Sequence, residues 1–276
     1  MILETDKATI SYEVIGEGMP VLILHGLGLD RMVMKQFMEP VFEPLAGFRR
    51  VYADLPGMGE SMVKSGLKGT DEMLEAILAL VSFVIPGEQF LVAGHSYGGY
   101  LARGIAARLP GSVNGLFQLC PMIFPYTHER QLEARMICEQ DERFIADLSE
   151  ADKQEFMTDM VIQIPAIYER YTREVTPGRL ARDRHFLEGP FRTTHYGFSF
   201  DPDEHAARFD APVLIITGRQ DAVVGYRDAQ RLANRYLHAT FAVLDEAGHY
   251  AQIEQASVTE MLTAEWLRRC KSNRRN

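Results

Sequence analysis

Phe90-Leu91-Val92-Ala93-Gly94-His95-Ser96-Tyr97-Gly98-Gly99 carries an apolar, strand-like run straight into a G-x-S-x-G turn at residues 94–98. Residues 97–109 then suit a helix. A serine on a sharp strand-to-helix turn is the setting of a nucleophile elbow. Gly94 and Gly98 permit close backbone approach where a Cβ would clash. The turn aims the Ser96 hydroxyl at a helix N-terminus, where free N–H groups and the helix dipole favour developing negative charge.

Outward from this turn, strand and helix signals alternate. Ile10, Tyr12 and Val14 alternate with polar residues, as in a half-buried strand. Residues 21–24 and 50–54 read as strands buried on both faces. Residues 73–84 read as a helix; Asp71 and Glu72 suit its first turn, and Thr70 with Met73 gives no capping box. Residues 113–119 form a further strand. The pattern resumes late in the chain, with strands at 211–218 and 240–244 and helices at 226–236 and 257–270. The closing helix carries the apolar residues Met261, Leu262, Trp266 and Leu267. Strands separated by helices predict a mostly parallel, twisted sheet covered on both faces and joined by right-handed crossovers.

Residues 122–205 interrupt this pattern. Strand signals fade, and helix-compatible charged stretches appear at 129–139, 149–161 and 165–173. The expected organisation is therefore an α/β core of residues 1–121 and 206–276, with 122–205 a helical lid able to cover a pocket and exclude water. Tyr126, Tyr168, Phe191, Tyr196 and Phe198 are its candidate substrate contacts, each competing with a role in the lid's own core. Tyr171 and Arg192 belong to the same question of what faces Ser96. The segment holds ten Lys/Arg against seventeen Asp/Glu, which favours neutral or cationic ligands over anionic ones.

A chain of 276 residues with 46% hydrophobic content can bury one large core. A net charge of -9 argues against nucleic acid as a partner. Cys120, Cys138 and Cys270 are odd in number and lack paired spacing, which predicts reduced thiols and a cytoplasmic setting. The first residues show no basic region followed by an apolar one. The longest apolar stretch, 77–85, contains Ser82 and is too short to span a bilayer. Arg268, Arg269, Lys271, Arg274 and Arg275 read as a solvated basic tail. Gly26-Leu27-Gly28 continues as Leu29-Asp30-Arg31, so the dinucleotide fingerprint G-x-G-x-x-G is missing. No cofactor and no metal are expected; the expected partner is a small-molecule substrate, and the oligomeric state is left open.

A serine hydroxyl is a weak nucleophile and needs a base and an orienting acid. Asp221 follows the strand that ends in Thr217-Gly218, and His249 follows the last strand within Asp245-Glu246-Ala247-Gly248-His249. Asp245 and Glu246 lie too close to His249 in sequence to orient it and read as loop or surface charges. Asp54 also ends a strand but precedes the nucleophile; it reads as a carboxylate that fixes its loop. Two backbone donors must receive an oxyanion. They are expected to be the N–H of Tyr97 and, from the loop His25-Gly26-Leu27-Gly28, that of Leu27. His25 reads as a brace for that loop.

These pieces resemble the α/β-hydrolase fold superfamily, in its lid-bearing group of esterases, carbon–carbon bond hydrolases and proline-iminopeptidase-like enzymes. The resemblance rests on His25-Gly26-Leu27-Gly28, Asp54-Leu55-Pro56-Gly57-Met58-Gly59-Glu60-Ser61, the elbow with Gly99, Thr217-Gly218-Arg219-Gln220-Asp221, and Gly248-His249. Ser96, Asp221 and His249 follow the family's chain order. The resemblance implies a serine hydrolase that works through an acyl-enzyme, with a carboxylic ester as the default substrate. Carbon–carbon cleavage of ring-cleavage products and aminopeptidase activity are the alternatives. Tyr250 is similar to the aromatic that usually follows the histidine in the carbon–carbon hydrolases, whereas His95 stands where their elbow often has Asn. A hydrolase fold kept only as a ligand receptor is the non-enzymatic alternative.

Overall fold

The computed structural model describes residues 1–204 and 206–273; His205, Arg274 and Arg275 lie outside them. Its main sheet runs in the order β1 (Ile2–Glu4), β2 (Ala8–Ile15), β4 (Phe48–Ala53), β3 (Met19–Leu24), β6 (Phe90–His95), β7 (Val113–Leu119), β10 (Val213–Gly218) and β11 (Ala239–Leu244). β5 (Met62–Val63) pairs with β2. The six strands from β4 to β11 are mutually parallel, while β2 runs antiparallel to both β1 and β4. Every residue of β3, β6 and β10 is buried, as their continuous apolar sequences require. β2 is more buried than alternation implies: Thr9 and Ser11 are buried too, because Glu4, Glu60 and Ser61 supply hydrogen bonds there.

The strand order reverses between β3 and β6. From β3 the chain passes through α1 (Arg31–Phe42) to β4 on one side; from β6 it passes through α3 (Tyr97–Arg108) to β7 on the other. Right-handed crossovers in opposite directions set α1 and α3 on opposite faces. The crevice beyond the C-terminal ends of β3 and β6 is then the place where an open α/β sheet holds a ligand. Gly26 follows one of those ends and Ser96 the other.

α12 (Ala256–Ser272) packs beside α1. Phe37, Phe117 and Trp266 join the helix pair to β7, with ring centroids 6.2 and 5.7 Å apart, and the Trp266 N–H donates to Pro212 O at 3.0 Å. Met261, expected on the apolar face, points outward and is 64% exposed. The basic end is not a free tail as far as it is described: Arg269 pairs with Glu265, and Lys271 donates to Ala46 O at 3.0 Å. α2 (Thr70–Val84) begins three residues earlier than expected. Gly69 is its N-cap, and the Glu72 carboxylate accepts the Gly69 N–H at 2.8 Å, which is half of a capping box.

Between β7 and β10 the chain leaves the main sheet. It forms the short parallel pair β8 (Glu139–Gln140) and β9 (Ile162–Gln163), and the helices α4 (Glu142–Asp147), α5 (Glu150–Asp159), α6 (Pro165–Glu174), α7 (Thr176–Ala181), α8 (Arg184–Glu188) and α9 (Pro190–Thr193). The helix expected over 129–139 is absent. A single 3-10 turn, Thr127–Glu129, leads into extended chain, because outside partners take the backbone. Asp228 accepts the Gln131 N–H, and Val161 O accepts that of Cys138, each at 2.8 Å. Tertiary bonding overrides helix propensity here. α10 (Arg227–Ala233) and α11 (Ala251–Glu254) complete the chain order. Among the described residues no helix is long and apolar enough to cross a membrane.

Candidate active site

Ser96 takes a left-handed backbone, φ 54° and ψ −114°, which is costly for a side chain other than glycine. Its surroundings hold it there. Leu119 O accepts the Ser96 N–H at 2.9 Å, and Ser96 O accepts from Met122 at 3.0 Å. A Cβ on Gly94 would sit 2.2 Å from Gly98 O, and one on Gly98 would sit 2.5 Å from His25 O. Gly94 is therefore needed for β6 to approach the first turn of α3, and Gly98 for that turn to pack against the end of β3.

The turn brings Ser96 Oγ to 2.9 Å from His249 Nε2, and His249 Nδ1 lies 2.8 Å from Asp221 Oδ2. Asp221 Oδ1 accepts the Val223 and Val224 N–H groups at 2.9 and 3.0 Å. Burial works against the Asp221 charge, but His249 and these donors outweigh it and hold the carboxyl below its ordinary range. Ser96 and His249 are each 8% exposed and Asp221 only 1%, so the first two can be reached by a ligand and the acid is shielded. Such a row passes a proton from hydroxyl to imidazole while the carboxylate fixes the ring and stabilises its cation.

His249 is itself positioned. Glu254 Oε2 accepts the Gly248 N–H at 2.6 Å, and Glu254 Oε1 accepts those of Val161 and Ile162 at 2.6 and 3.2 Å. One buried carboxylate thus ties the His249 loop to β9 and the residue before it. Burial pushes that carboxyl up to about 7 despite the three donors. His95 Nε2–H donates to His249 O at 3.0 Å. Burial, then the charge of His249, lowers His95 to about 3, so it stays neutral.

In the loop after β3, Leu55 N–H donates to His25 Nε2 at 2.9 Å, and His25 Nδ1–H donates to Gly26 O at 2.8 Å. His25 therefore braces the loop and has no free nitrogen for a base. Asp54 is held by the Arg31 side chain at 2.6 Å and by two backbone N–H groups. The Gly28 N–H points to Met58 Sδ at 3.1 Å, and that of Leu29 points to Gly26 O at 3.3 Å. Leu27 lines the cavity beside Ser96, and Tyr97 opens α3 directly after it. Cys120 Sγ also lies within 4.8 Å of the Asp221 and His249 ligand atoms. Those two groups already bond to each other, and burial holds the Cys120 thiol well above its ordinary pKa, so the trio reads as a relay beside a thiol.

A cavity of about 200 Å³ opens over Ser96 and His249. Of the five aromatic residues expected to contact substrate, only Tyr196 lines it. Phe191 packs against Tyr97, Phe186 and Tyr196; Phe198 stacks on Tyr100 and Phe200. Tyr168 packs with Phe144 and Phe156, and Tyr126 stacks on His128. These four serve the packing of the inserted segment. The acidic excess of the segment does not extend to the cavity. Glu142, Glu150 and Asp152 face solvent, while Arg130, Arg179 and Arg192 line the cavity with Asp159 as the single acid besides the buried relay. Arg179 pairs with Asp159. Nothing in the spacing of these residues marks them, because they come from separate turns of an irregular segment.

A family model described as alpha/beta hydrolase fold matches residues 19–256. An alpha/beta superfamily hydrolase from Oenococcus oeni PSU-1 has a solved structure with TM-score 0.87 and 29% identity, covering 95% of this chain and 96% of that one. The AB hydrolase superfamily protein YisY of Bacillus subtilis is 24% identical over 269 residues, 95% of this chain and 96% of its own length. A pimeloyl-[acyl-carrier protein] methyl ester esterase of Aeromonas salmonicida is 23% identical over 251 residues, 87% of this chain and 92% of its own length.

Proposed function

The chain belongs to the alpha/beta hydrolase fold family, and from that premise we propose that it is a serine hydrolase cleaving a small carboxylic ester. The observation that carries this reading is the row Ser96 Oγ, His249 Nε2, His249 Nδ1, Asp221 Oδ2, bonded at 2.9 and 2.8 Å on the floor of a cavity. His249 takes the Ser96 proton as Oγ attacks the carbonyl carbon. The N–H groups of Leu27 and Tyr97 receive the oxyanion. His249 returns the proton to the leaving alcohol and the acyl group stays on Ser96. Water, deprotonated by His249, then releases the acid. Asp221 keeps the imidazole in the Nδ1–H tautomer throughout. Residues 122–205 act as the lid that keeps bulk water from the acyl-enzyme, and the unpaired cysteines suit a cytoplasmic setting.

Carbon–carbon cleavage keeps one observation in its favour, the aromatic Tyr250 packed against the His249 ring. Steady-state hydrolysis of short-chain methyl and p-nitrophenyl esters, with thermal shift on the same compounds, tests the proposal. Turnover that disappears in Ser96→Ala is expected. Ligand-induced stabilisation without turnover would instead mean a receptor.

A further inference from the structure

Two arginines at the cavity lack what a partly buried cation normally has. Arg130 donates Nε–H to Phe124 O at 2.9 Å, Nη1–H to Val223 O at 2.8 Å and Nη2–H to Pro125 O at 2.7 Å. That commits three of the five guanidinium N–H bonds to neutral carbonyls and leaves two. Glu129, its neighbour in sequence, turns its carboxylate to the Tyr126 N–H instead. Arg192 lies over the Tyr196 ring, 4.1 Å from its centroid, and its side chain also hydrogen-bonds to Tyr196, a neutral partner. Neither arginine has a carboxylate within ion-pair distance among the described residues, whereas the third cavity arginine, Arg179, has Asp159. Burial lowers the Arg130 pKa; Tyr196, Asp221 and Glu129 work against that shift and the Arg192 charge adds to it.

A protein does not hold two like charges around a cavity without a compensating anion at no cost. Arg179 has such an anion in contact; Arg130 has the Asp221 and Glu129 charges only beyond ion-pair distance, and among the described residues Arg192 has no carboxylate within that distance. Resting on the serine-hydrolase reading, we propose that the acyl group of the substrate carries a carboxylate, bound by Arg130 and Arg192 beside Ser96. Guanidinium forks match a carboxylate bidentately. Asp159 in the same cavity disfavours a dianion such as phosphate. A cavity of about 200 Å³ favours a short acid. The substrate class is the half-ester of a short-chain diacid. Water is consumed, and the alcohol and the diacid leave. The anchor holds the carboxylate end through both steps, which keeps the acyl carbonyl aligned for water.

The test compares monomethyl glutarate with its neutral half-amide ester, isosteric but uncharged, and follows glutarate binding to Ser96→Ala by calorimetry. Charge-assisted hydrogen bonds predict a kcat/KM preference of roughly ten- to a hundredfold for the acid, carried mainly in KM. Arg192→Gln should bring that ratio toward one, and Arg192→Lys should keep part of it. Arg130 is not the variant of choice, because its backbone bonds also hold the chain in place. Equal kcat/KM for the two esters, or tighter binding of inorganic phosphate than of glutarate by Ser96→Ala, would overturn the carboxylate anchor. The calorimetric arm needs no turnover. Glutarate binding with an inert wild-type enzyme would therefore sink the serine-hydrolase reading, and ester turnover without acid preference would sink the anchor alone.

Discussion

At Ser96 the backbone is left-handed, His249 lies 2.9 Å away, and Asp221 stands behind the ring. Replacing Asp221 by Asn leaves the packing but favours the wrong imidazole tautomer; kcat should fall roughly 10⁴-fold with KM little changed, read from steady-state kinetics on a short ester. Glu254 gives a pH signature. Its carboxyl is held up at about 7, above the ordinary 4.5. Its contribution to stability is therefore fully present below about pH 4.5 and lost as pH rises through about 7. From pH 5 to 8 the stability of the wild type relative to Glu254→Gln should drop by about 3 kcal/mol, measured by denaturant unfolding; a flat difference contradicts this. Ser96, Asp221 and His249 were legible in the sequence because each follows a strand, in a fixed order. Glu254 was not, because its three backbone partners lie on segments far apart in the chain.

The elbow works as an element only if β6 and α3 can approach β3. A Cβ at Gly98 would meet Leu24 O at 2.6 Å as well as His25 O. Gly98→Ala should destabilise by about 3 kcal/mol, the upper end of overpacking, in a urea titration. Gly87→Ala is the control: φ is +70° with nothing within 4 Å of the added methyl, so only backbone strain of about 1 kcal/mol applies. The parallel strands of the main sheet were read to within two residues at either end, since continuous apolar runs such as 21–24 have one solution inside a parallel sheet, whereas the short β1 and β5 were not read. The stretch 129–139 was misread as helix because its N–H groups bond to Asp228 and Val161, partners that periodicity does not reveal.

Across the molecule, the sheet carries the reactive groups and the inserted segment carries the arginines. The segment also has its own aromatic cluster, with Phe156 fully buried among Phe144, Tyr168 and Tyr171. Phe156→Ala should cost about 4 kcal/mol locally; hydrogen exchange should then rise over residues 139–175 while β3 and β6 stay protected. Composition misled about this segment: its acidic excess is real, but only Asp159 of those acids lines the cavity, beside Arg130, Arg179 and Arg192. Net charge over a span does not say which side chains turn inward. The central claim is that Ser96 is an activated nucleophile, and a fluorophosphonate probe followed by peptide mass spectrometry tests it most directly. A single adduct on Ser96, lost in Ser96→Ala and slowed in His249→Ala, is the predicted result. Folded wild-type protein left unlabelled under conditions that label known serine hydrolases would contradict it.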